Sequence, residues 1–194
     1  MSRRETLTRR VAGLLPILVC LPVLLAQSPP PKPTEYEVKA TYLSNFGKFT
    51  EWPAVPPGAQ DQPGGATDSF NICVLGTDPF GSALTRAVAG ESINRVPMAA
   101  KHISKVQDAV AGCRILFISA SEDGKLKTIL AALANASVLT VGESPAFAER
   151  GGMIQFVLDN NHIRFEVNLA AVQRARLSLS SELTKLATVV RRNP

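Results

Sequence analysis

Two cysteines are the residues of this sequence whose chemistry is most readily assigned. Cys73 lies in one apolar run, next to Ile72, and Cys113 opens a second apolar run. In an oxidising compartment two cysteines most simply form one disulfide, and two buried free thiols are the alternative. The sequence contains no CxxC motif, so a thiol redox catalyst is not expected. We therefore expect a structural disulfide between Cys73 and Cys113.

Other groups that could carry chemistry are sparse. His102 and His162 are the only imidazoles, and neither has a cysteine or carboxylate at a metal-ligand spacing. The loop from Gly76 to Gly81 follows a strand as a phosphate loop would, but it lacks the lysine, and Asp78 would repel phosphate. No G-x-S-x-G motif or pair of acidic residues stands out. We expect no metal, no cofactor and no enzymatic activity.

The N-terminal residues have the pattern of an export signal. Four arginines precede an uncharged apolar run from Val11 to Ala26, which is the order found in secretory signal peptides. We therefore predict a signal peptide over residues 1–26, with cleavage after Ala26, and a periplasmic mature protein. An uncleaved N-terminal anchor is the alternative. The third cysteine, Cys20, would leave with the signal.

Charge argues against nucleic acid as a partner. The chain carries a formal net charge of +5, but residues 1–26 contain four arginines against one glutamate. Most of the positive charge is therefore lost with the signal, and the mature chain is close to neutral. A strongly basic surface, which nucleic acids or anionic membranes would require, is not indicated.

Helices and strands alternate through the rest of the chain. Residues 27–34 are a proline-rich spacer, and residues 35–190 form one predicted domain. A helix from Glu35 carries an apolar stripe of Val38, Tyr42, Phe46 and Phe49. Strands are predicted over residues 70–76, 96–103, 113–119, 137–142, 153–159 and 162–168, and further helices follow Asp78, Ser121, Ser144, Asn168 and Ser180.

This alternation predicts the fold class. Strands separated by helices form parallel sheets, whereas the last two strands flank Asn160-Asn161, a typical tight hairpin turn. We therefore predict an α/β fold with a mixed, mostly parallel sheet of about six strands and helices on both faces.

Five segments resemble the YfiR family of periplasmic proteins, in the family's order. They are EYEVKATYLSNFGKFTEWP (35–53), NICVLGTDPFG (71–81), CRILFISASE (113–122), GGMIQFVLDNNHIRFEVNLAA (151–171) and LSLSSELTKLATVV (177–190). The resemblance covers nearly all of the mature chain. It implies an α/β domain, often dimeric, with a structural disulfide at the positions of Cys73 and Cys113. A second cysteine pair found in some members is missing from this sequence.

The resemblance also implies a regulatory function. Its best-studied members bind the periplasmic part of an inner-membrane diguanylate cyclase and restrain it, which limits cyclic di-GMP and biofilm formation. An OmpA-like outer-membrane lipoprotein can sequester them. A periplasmic small-molecule-binding module, serving a receptor or transporter, is the alternative, with its ligand at the carboxyl ends of the strands.

The predicted partner surface lies on the last hairpin. If Ile163, Phe165 and Val167 face the core, alternation directs Arg164, Glu166 and Asn168 to the other side. We therefore predict partner contacts at these three polar residues. The alternative is that Glu166 pairs with Arg164 or Arg174 on a solvated face, and that Asn168 only caps a helix.

A homodimer is predicted from the first helix. It carries Tyr36, Tyr42, Phe46 and Phe49, more aromatic residues than a small domain usually exposes. The alternative is that the stripe packs on the sheet.

Overall fold

Ten strands and six helices form the described part of the chain. The computed structural model describes residues 32–53 and 69–191, so the predicted signal peptide and cleavage site lie outside the described residues. The strands are β1 (Thr50–Glu51), β2 (Phe70–Leu75), β3 (Ser92–Ile93), β4 (Val96–Ile103), β5 (Ile115–Ile118), β6 (Leu139–Gly142), β7 (Ile154–Asp159), β8 (His162–Asn168), β9 (Ser178–Leu179) and β10 (Val189–Arg191). The helices are α1 (Glu35–Lys48), α2 (Ser82–Val88), α3 (Val106–Gly112), α4 (Leu126–Ala132), α5 (Leu169–Arg174) and α6 (Ser181–Leu186), and a 3₁₀ helix spans Ala120–Lys125.

The main sheet has the strand order β10-β8-β7-β6-β5-β2-β4-β3. Neighbours pair in parallel except at the β7–β8 and β3–β4 hairpins. The predicted α/β class and mixed, mostly parallel sheet are therefore confirmed. The sheet has eight strands in the described residues, whereas about six were predicted. The two additional strands, β3 and β10, were not predicted because they are too short to show a periodic pattern. A separate antiparallel pair joins β1 to β9.

Two hydrophobic cores lie on opposite faces of the sheet. Strands β2, β5 and β6 are buried along their whole length, which explains their almost continuous apolar sequences. The first core packs α1, α2, α5 and α6 on one face. The second packs α3, α4 and the Cys73–Cys113 disulfide on the other. The main sheet is therefore covered by helices on both faces, as the alternation of strands and helices predicted.

Helix α1 begins with a capping box. The Thr34 hydroxyl accepts from the Glu37 backbone N–H, and the Glu37 carboxylate accepts from the Thr34 N–H. Its buried face is centred on Leu43 and Phe46, both fully buried, so the predicted stripe shares only Phe46 with the centre of that face, and Val38 and Tyr42 are half-buried at its side. Phe49 lies after the helix and is 37% exposed.

The aromatic residues of α1 pack mainly against the sheet. The Phe46 ring lies 5.8 Å from that of Phe156 and 5.1 Å from that of Phe165, and Tyr42 contacts the same two rings. Tyr36 packs edge-on against Phe80 at 5.6 Å. The packing alternative therefore accounts for most of the stripe, and the homodimer stays a prediction.

Three predicted helices have different bounds. Helix α2 begins at Ser82, because Asp78 uses its side chain to accept from the Phe80 N–H in a local turn and does not cap the helix. Residues 145–151 form turns where a helix was predicted. The last helix ends at Leu186, capped by Ser180 as expected, and the following residues form β10 beside β8.

A disulfide joins Cys73 in β2 to Cys113, two residues before β5. The two Cα atoms are 5.9 Å apart, and β2 and β5 are hydrogen-bonded neighbours in the sheet. The bridge closes a loop across a sequence separation of 40 residues, which contains α2, β3, β4 and α3. Both cysteines are buried in the second core.

Phe147 is held in a close-fitting site beside two glycines. The ring is fully buried in the second core and lies against Gly142 and Gly152. A Cβ atom at Gly152 would stand 2.0 Å from Phe147 Cε1, closer than any real contact. The Phe147 ring therefore fits only because residue 152 is a glycine and has no side chain.

Among the described residues, no helix combines the length and apolar character needed to cross a membrane.

Candidate partner-binding surface

The β7–β8 hairpin carries the predicted site residues. Asn160 and Asn161 have φ values of 47° and 62°, the left-handed conformation that a two-residue primed turn requires. Phe156 pairs with Phe165, and two residues further along Leu158 pairs with Ile163. Leu158 is 61% exposed, so the apolar row of the hairpin continues from the core into solvent at the tip.

Arg164 and Glu166 lie on the opposite face of the hairpin. They stand opposite Val157 and Gln155 in the register, and being two residues apart they share one face. Arg164 is exposed, and its Nε lies 3.2 Å from Asp159 Oδ2. Both side chains of this pair are about half exposed, so the pair adds little stability.

Glu166 pairs with Arg191, a residue outside the predicted site. Its Oε2 lies 3.4 Å from Arg191 Nη2, and the same nitrogen lies 2.8 Å from Glu149 Oε1. The alternative interpretation had expected Arg164 or Arg174 to be the partner of Glu166, and neither of them is. Arg191 was missed because it lies one residue beyond the predicted domain end, in a strand of three residues.

Asn168 is separated from the other two predicted residues by burial. It is 5% exposed, its side-chain oxygen accepts from the Ala171 N–H, and its amide donates to the Ala148 carbonyl at 2.7 Å. It therefore caps α5, which is the alternative that the sequence left open. The structure brings Arg164 and Glu166 together on one charged surface with Asp159, Glu149 and Arg191.

A second charged cluster was not predicted at all. Lys39 of α1 is 4% exposed and forms ion pairs with Glu35 and with Glu143, the residue that follows β6. Its Nζ also lies 4.6 Å from the Tyr36 ring centroid, and the Tyr36 hydroxyl donates to Glu143 at 3.3 Å. The spacing of apolar residues in α1 did not predict this cluster, because Lys39 lies on the buried, mostly apolar face of the helix.

The pKa values of this cluster shift in one direction. Burial alone would lower the pKa of the Lys39 ammonium, but hydrogen bonds to Glu143 and Glu35 outweigh it and raise that pKa. Burial, followed by repulsion from Glu143, raises the pKa of the Tyr36 hydroxyl. In both cases the folded protein holds the proton more tightly than the unfolded chain does.

These shifts predict a loss of stability at alkaline pH. Because the folded-state pKa of Lys39 is raised, its contribution is complete below its ordinary pKa of about 10.4 and is lost as pH rises through the folded value. Tyr36 acts with the same sign. We expect the free energy of unfolding of Lys39→Met to fall less steeply than that of the wild type above about pH 10.

Urea denaturation over an alkaline pH series measures this difference. Lys48→Met is the matched control, because it also removes a lysine in an ion pair, but the pair of Lys48 with Glu91, at 2.7 Å, is exposed. Equal alkaline slopes for Lys39→Met and the wild type would contradict the prediction.

The usual ligand position of this sheet is occupied by the chain itself. Strand β2 lies between β4 and β5, which makes the carboxyl ends of β2 and β5 a topological switch point. Gly76, after β2, has φ +91°, and the space beside it is filled by Ser121 and Glu122. The Ser121 hydroxyl accepts from the Thr77 N–H at 2.9 Å. His102 contacts the Gly76 carbonyl at 2.6 Å.

A cavity of about 210 Å³ lies elsewhere in the domain. It is mostly apolar, and exposed Arg174 stands among its lining residues, which also include Leu130, Leu133, Ala134, Thr140, Gly151, Met153, Ala171 and Ala175. Arg174 forms no ion pair within the described residues.

Solved structures with the same architecture are distant in sequence. A conserved domain protein from Vibrio cholerae superposes with a TM-score of 0.51 at 10% identity, covering 81% of this chain and 60% of that one. The ABC domain in complex with L-Trp from Streptococcus pneumoniae gives a TM-score of 0.54 at 10% identity, covering 78% and 61%. The chain thus spans about three fifths of these structures, and the likeness shows the fold alone.

A sequence search found no match among curated proteins. A family model, by contrast, matches residues 36–188, from the first turn of α1 to the residue before β10. That span includes both cores, the disulfide and the β7–β8 hairpin. The chain therefore belongs to the YfiR/HmsC-like family.

Proposed function

We propose that this protein is a periplasmic regulator that binds the periplasmic part of an inner-membrane diguanylate cyclase and restrains the enzyme. Cyclic di-GMP synthesis and biofilm formation would be limited as a result. The family match over residues 36–188 is the observation that carries this proposal, because it covers nearly the whole described domain. The protein acts in this proposal by binding, without chemistry of its own.

The contact surface that we propose is the charged face of the β7–β8 hairpin. Arg164, Asp159, Glu166, Arg191 and Glu149 place alternating charges on strands β7, β8 and β10 and on the turn before β7. A surface of this kind selects a partner by charge complementarity and fixes its register, more than it adds affinity. Leu158 is exposed at the tip of the hairpin, on the face opposite these charges. Asn168 contributes only indirectly, by holding the start of α5.

Arg164→Glu is the variant that tests this surface most directly. Because the Arg164 side chain is 53% exposed and its pair is weak, the variant should fold normally but lose restraint of the cyclase. We expect raised cyclic di-GMP in cells carrying it, and the same result for Glu166→Lys. Glu166→Lys also places a cation beside Arg191, so Glu166→Gln separates loss of contact from repulsion within the chain.

Glu51→Lys is the matched control. Glu51 is exposed on β1, has no ion-pair partner in the described part of the chain, and belongs to the small β1–β9 sheet. Cyclic di-GMP at the wild-type level in well-folded Arg164→Glu and Glu166→Lys cells would remove the hairpin from the contact surface. A pull-down from membrane extracts that recovers no cyclase would count against the function itself.

Two further partners belong to the same proposal. An OmpA-like outer-membrane lipoprotein would sequester the protein and release the cyclase. A second copy of the chain would pack along α1, where Val38 and Tyr42 line a groove of about 410 Å³ together with Pro33, Glu37, Thr41 and Asn45. Light scattering at micromolar concentration that gives a monomer mass would exclude the homodimer.

A periplasmic small-molecule-binding module is the second candidate. The observation in its favour is the cavity of about 210 Å³ beside Arg174, which would suit an apolar molecule carrying an anionic group. Mass spectrometry of the protein purified under native conditions tests it. A co-purified metabolite that Arg174→Ala no longer retains would favour this function.

A further inference from the structure

Strand β4 has an outer edge that is largely open. Its residues 98–103 pair with β2 on the inner side, from Phe70↔Met98 to Leu75↔Ile103. On the outer side β3 pairs only with Val96 and Pro97. In the described part of the chain, six consecutive residues of β4 therefore have a strand neighbour on one side only.

The direction of the backbone groups follows from one hydrogen bond. The Met98 N–H donates to the Glu91 carbonyl at 2.9 Å, on the outer side of β4. Backbone groups of successive strand residues point to alternate sides, so Ala100 and His102 also direct their N–H and C=O groups outward. These two residues present a ready set of donors and acceptors for another extended chain.

The same edge is basic. Arg95 precedes β4 in the β3–β4 turn, Lys101 lies in its middle, and Lys105 follows its end. All three are exposed, and none forms an ion pair within residues 32–53 and 69–191. Glu91, the carboxylate on the neighbouring turn, is already paired with Lys48 at 2.7 Å. Three unpaired cations thus accompany the open edge along its length.

We propose that the outer edge of β4 binds an extended acidic segment of another protein, which adds to the sheet as an extra strand. The backbone groups of Ala100 and His102 would supply the pairing, and Arg95, Lys101 and Lys105 would select for acidic side chains. Two copies of this edge would bring lysines together, which disfavours self-pairing. The edge and the β7–β8 hairpin lie in different halves of the sheet, so this site is independent of the proposed cyclase contact.

A peptide of about ten residues in which Val or Thr alternates with Asp or Glu is the probe. We expect the amides of Ala100 and His102 in the mature protein to become protected from hydrogen exchange when the peptide is added. A peptide with Lys at every acidic position should protect neither amide. Binding should weaken with added salt, because the cations are exposed.

Ala100→Pro tests the backbone pairing directly. It removes an outward N–H that the sheet does not use, and proline is tolerated on edge strands, so the fold should be kept. We expect at least about a tenfold loss of peptide affinity, whereas Ala100→Val, which keeps the N–H, should bind as the wild type does. Lys101→Glu should weaken the acidic peptide and favour the basic one.

Four outcomes would overturn the proposal. Three of them are unchanged affinity for the acidic peptide in folded Ala100→Pro, absence of amide protection at about 1 mM peptide, and self-association of the protein that Ala100→Pro abolishes. The last result would mean that the edge pairs with a second copy. Polyphosphate could compete as a simple polyanion: if it binds as tightly as the peptide, and binds Ala100→Pro equally well, the three cations bind polyanions in general. That result would also overturn the proposal.

Discussion

The double variant Cys73→Ala with Cys113→Ala should melt about 4–20 °C below the wild type. The disulfide between these residues closes a loop with a sequence separation of 40 residues and joins two neighbouring central strands. Loss of a native bridge commonly costs 2–5 kcal/mol, largely because the unfolded chain regains freedom. For a domain of this size, each kcal/mol corresponds to about 2–4 °C.

Calorimetry of the oxidised wild type, the reduced wild type and the double variant gives the comparison. The reduced wild type should melt close to the double variant, because both lack the bridge and keep the same core. Alkylation of the exported protein without reductant should label no thiol. Two labelled thiols, or a double variant as stable as the oxidised wild type, would contradict a structural disulfide.

Gly152→Ala should destabilise the domain by about 3 kcal/mol, at the upper end of the cost of overpacking. The new methyl group would stand 2.0 Å from Phe147 Cε1 and 2.2 Å from its Cδ1. Phe147 is fully buried in the second core and is enclosed on a second side by Gly142. The ring cannot move away without displacing other core side chains, so the clash is not easily relieved.

Gly112→Ala is the matched control, because a Cβ atom at Gly112 meets nothing within 4 Å. It should change the free energy of unfolding by less than about 0.5 kcal/mol. Phe147→Leu should rescue Gly152→Ala in part, so that a double-mutant cycle by urea denaturation gives a favourable coupling energy of about 1 kcal/mol or more. Additive effects of the two changes would show that Phe147 is not the origin of the cost.

The sequence predicted the central strands and the disulfide more reliably than the edges of the sheet. Strands β2 and β5 are buried on both faces, so their apolar sequences are continuous and easily recognised. The helix predicted after Ser180 ends at Leu186, and the unpredicted strand β10 begins at Val189. A strand of three residues is defined by its pairing with β8, which no local pattern contains.

The site residues show the same dependence on tertiary contacts. Alternation along β8 correctly placed Arg164 and Glu166 on one face, because it follows from strand geometry alone. It also placed Asn168 there, but that residue is buried where β8 ends and α5 begins. The pairing of Glu166 with Arg191, and of Lys39 with Glu143, joins residues 25 and 104 positions apart. Such pairs are not visible in residue periodicity.

The Cys73–Cys113 bridge also changes how the protein responds to force. The segment between the two cysteines, which carries the open edge of β4, forms a covalent ring. A chain pulled from its two ends cannot extend through that ring, so complete unravelling releases about 140 Å less contour length than the residue count implies. Tension applied to the ends would therefore leave the ring unstretched, and only a reductant would restore the missing length.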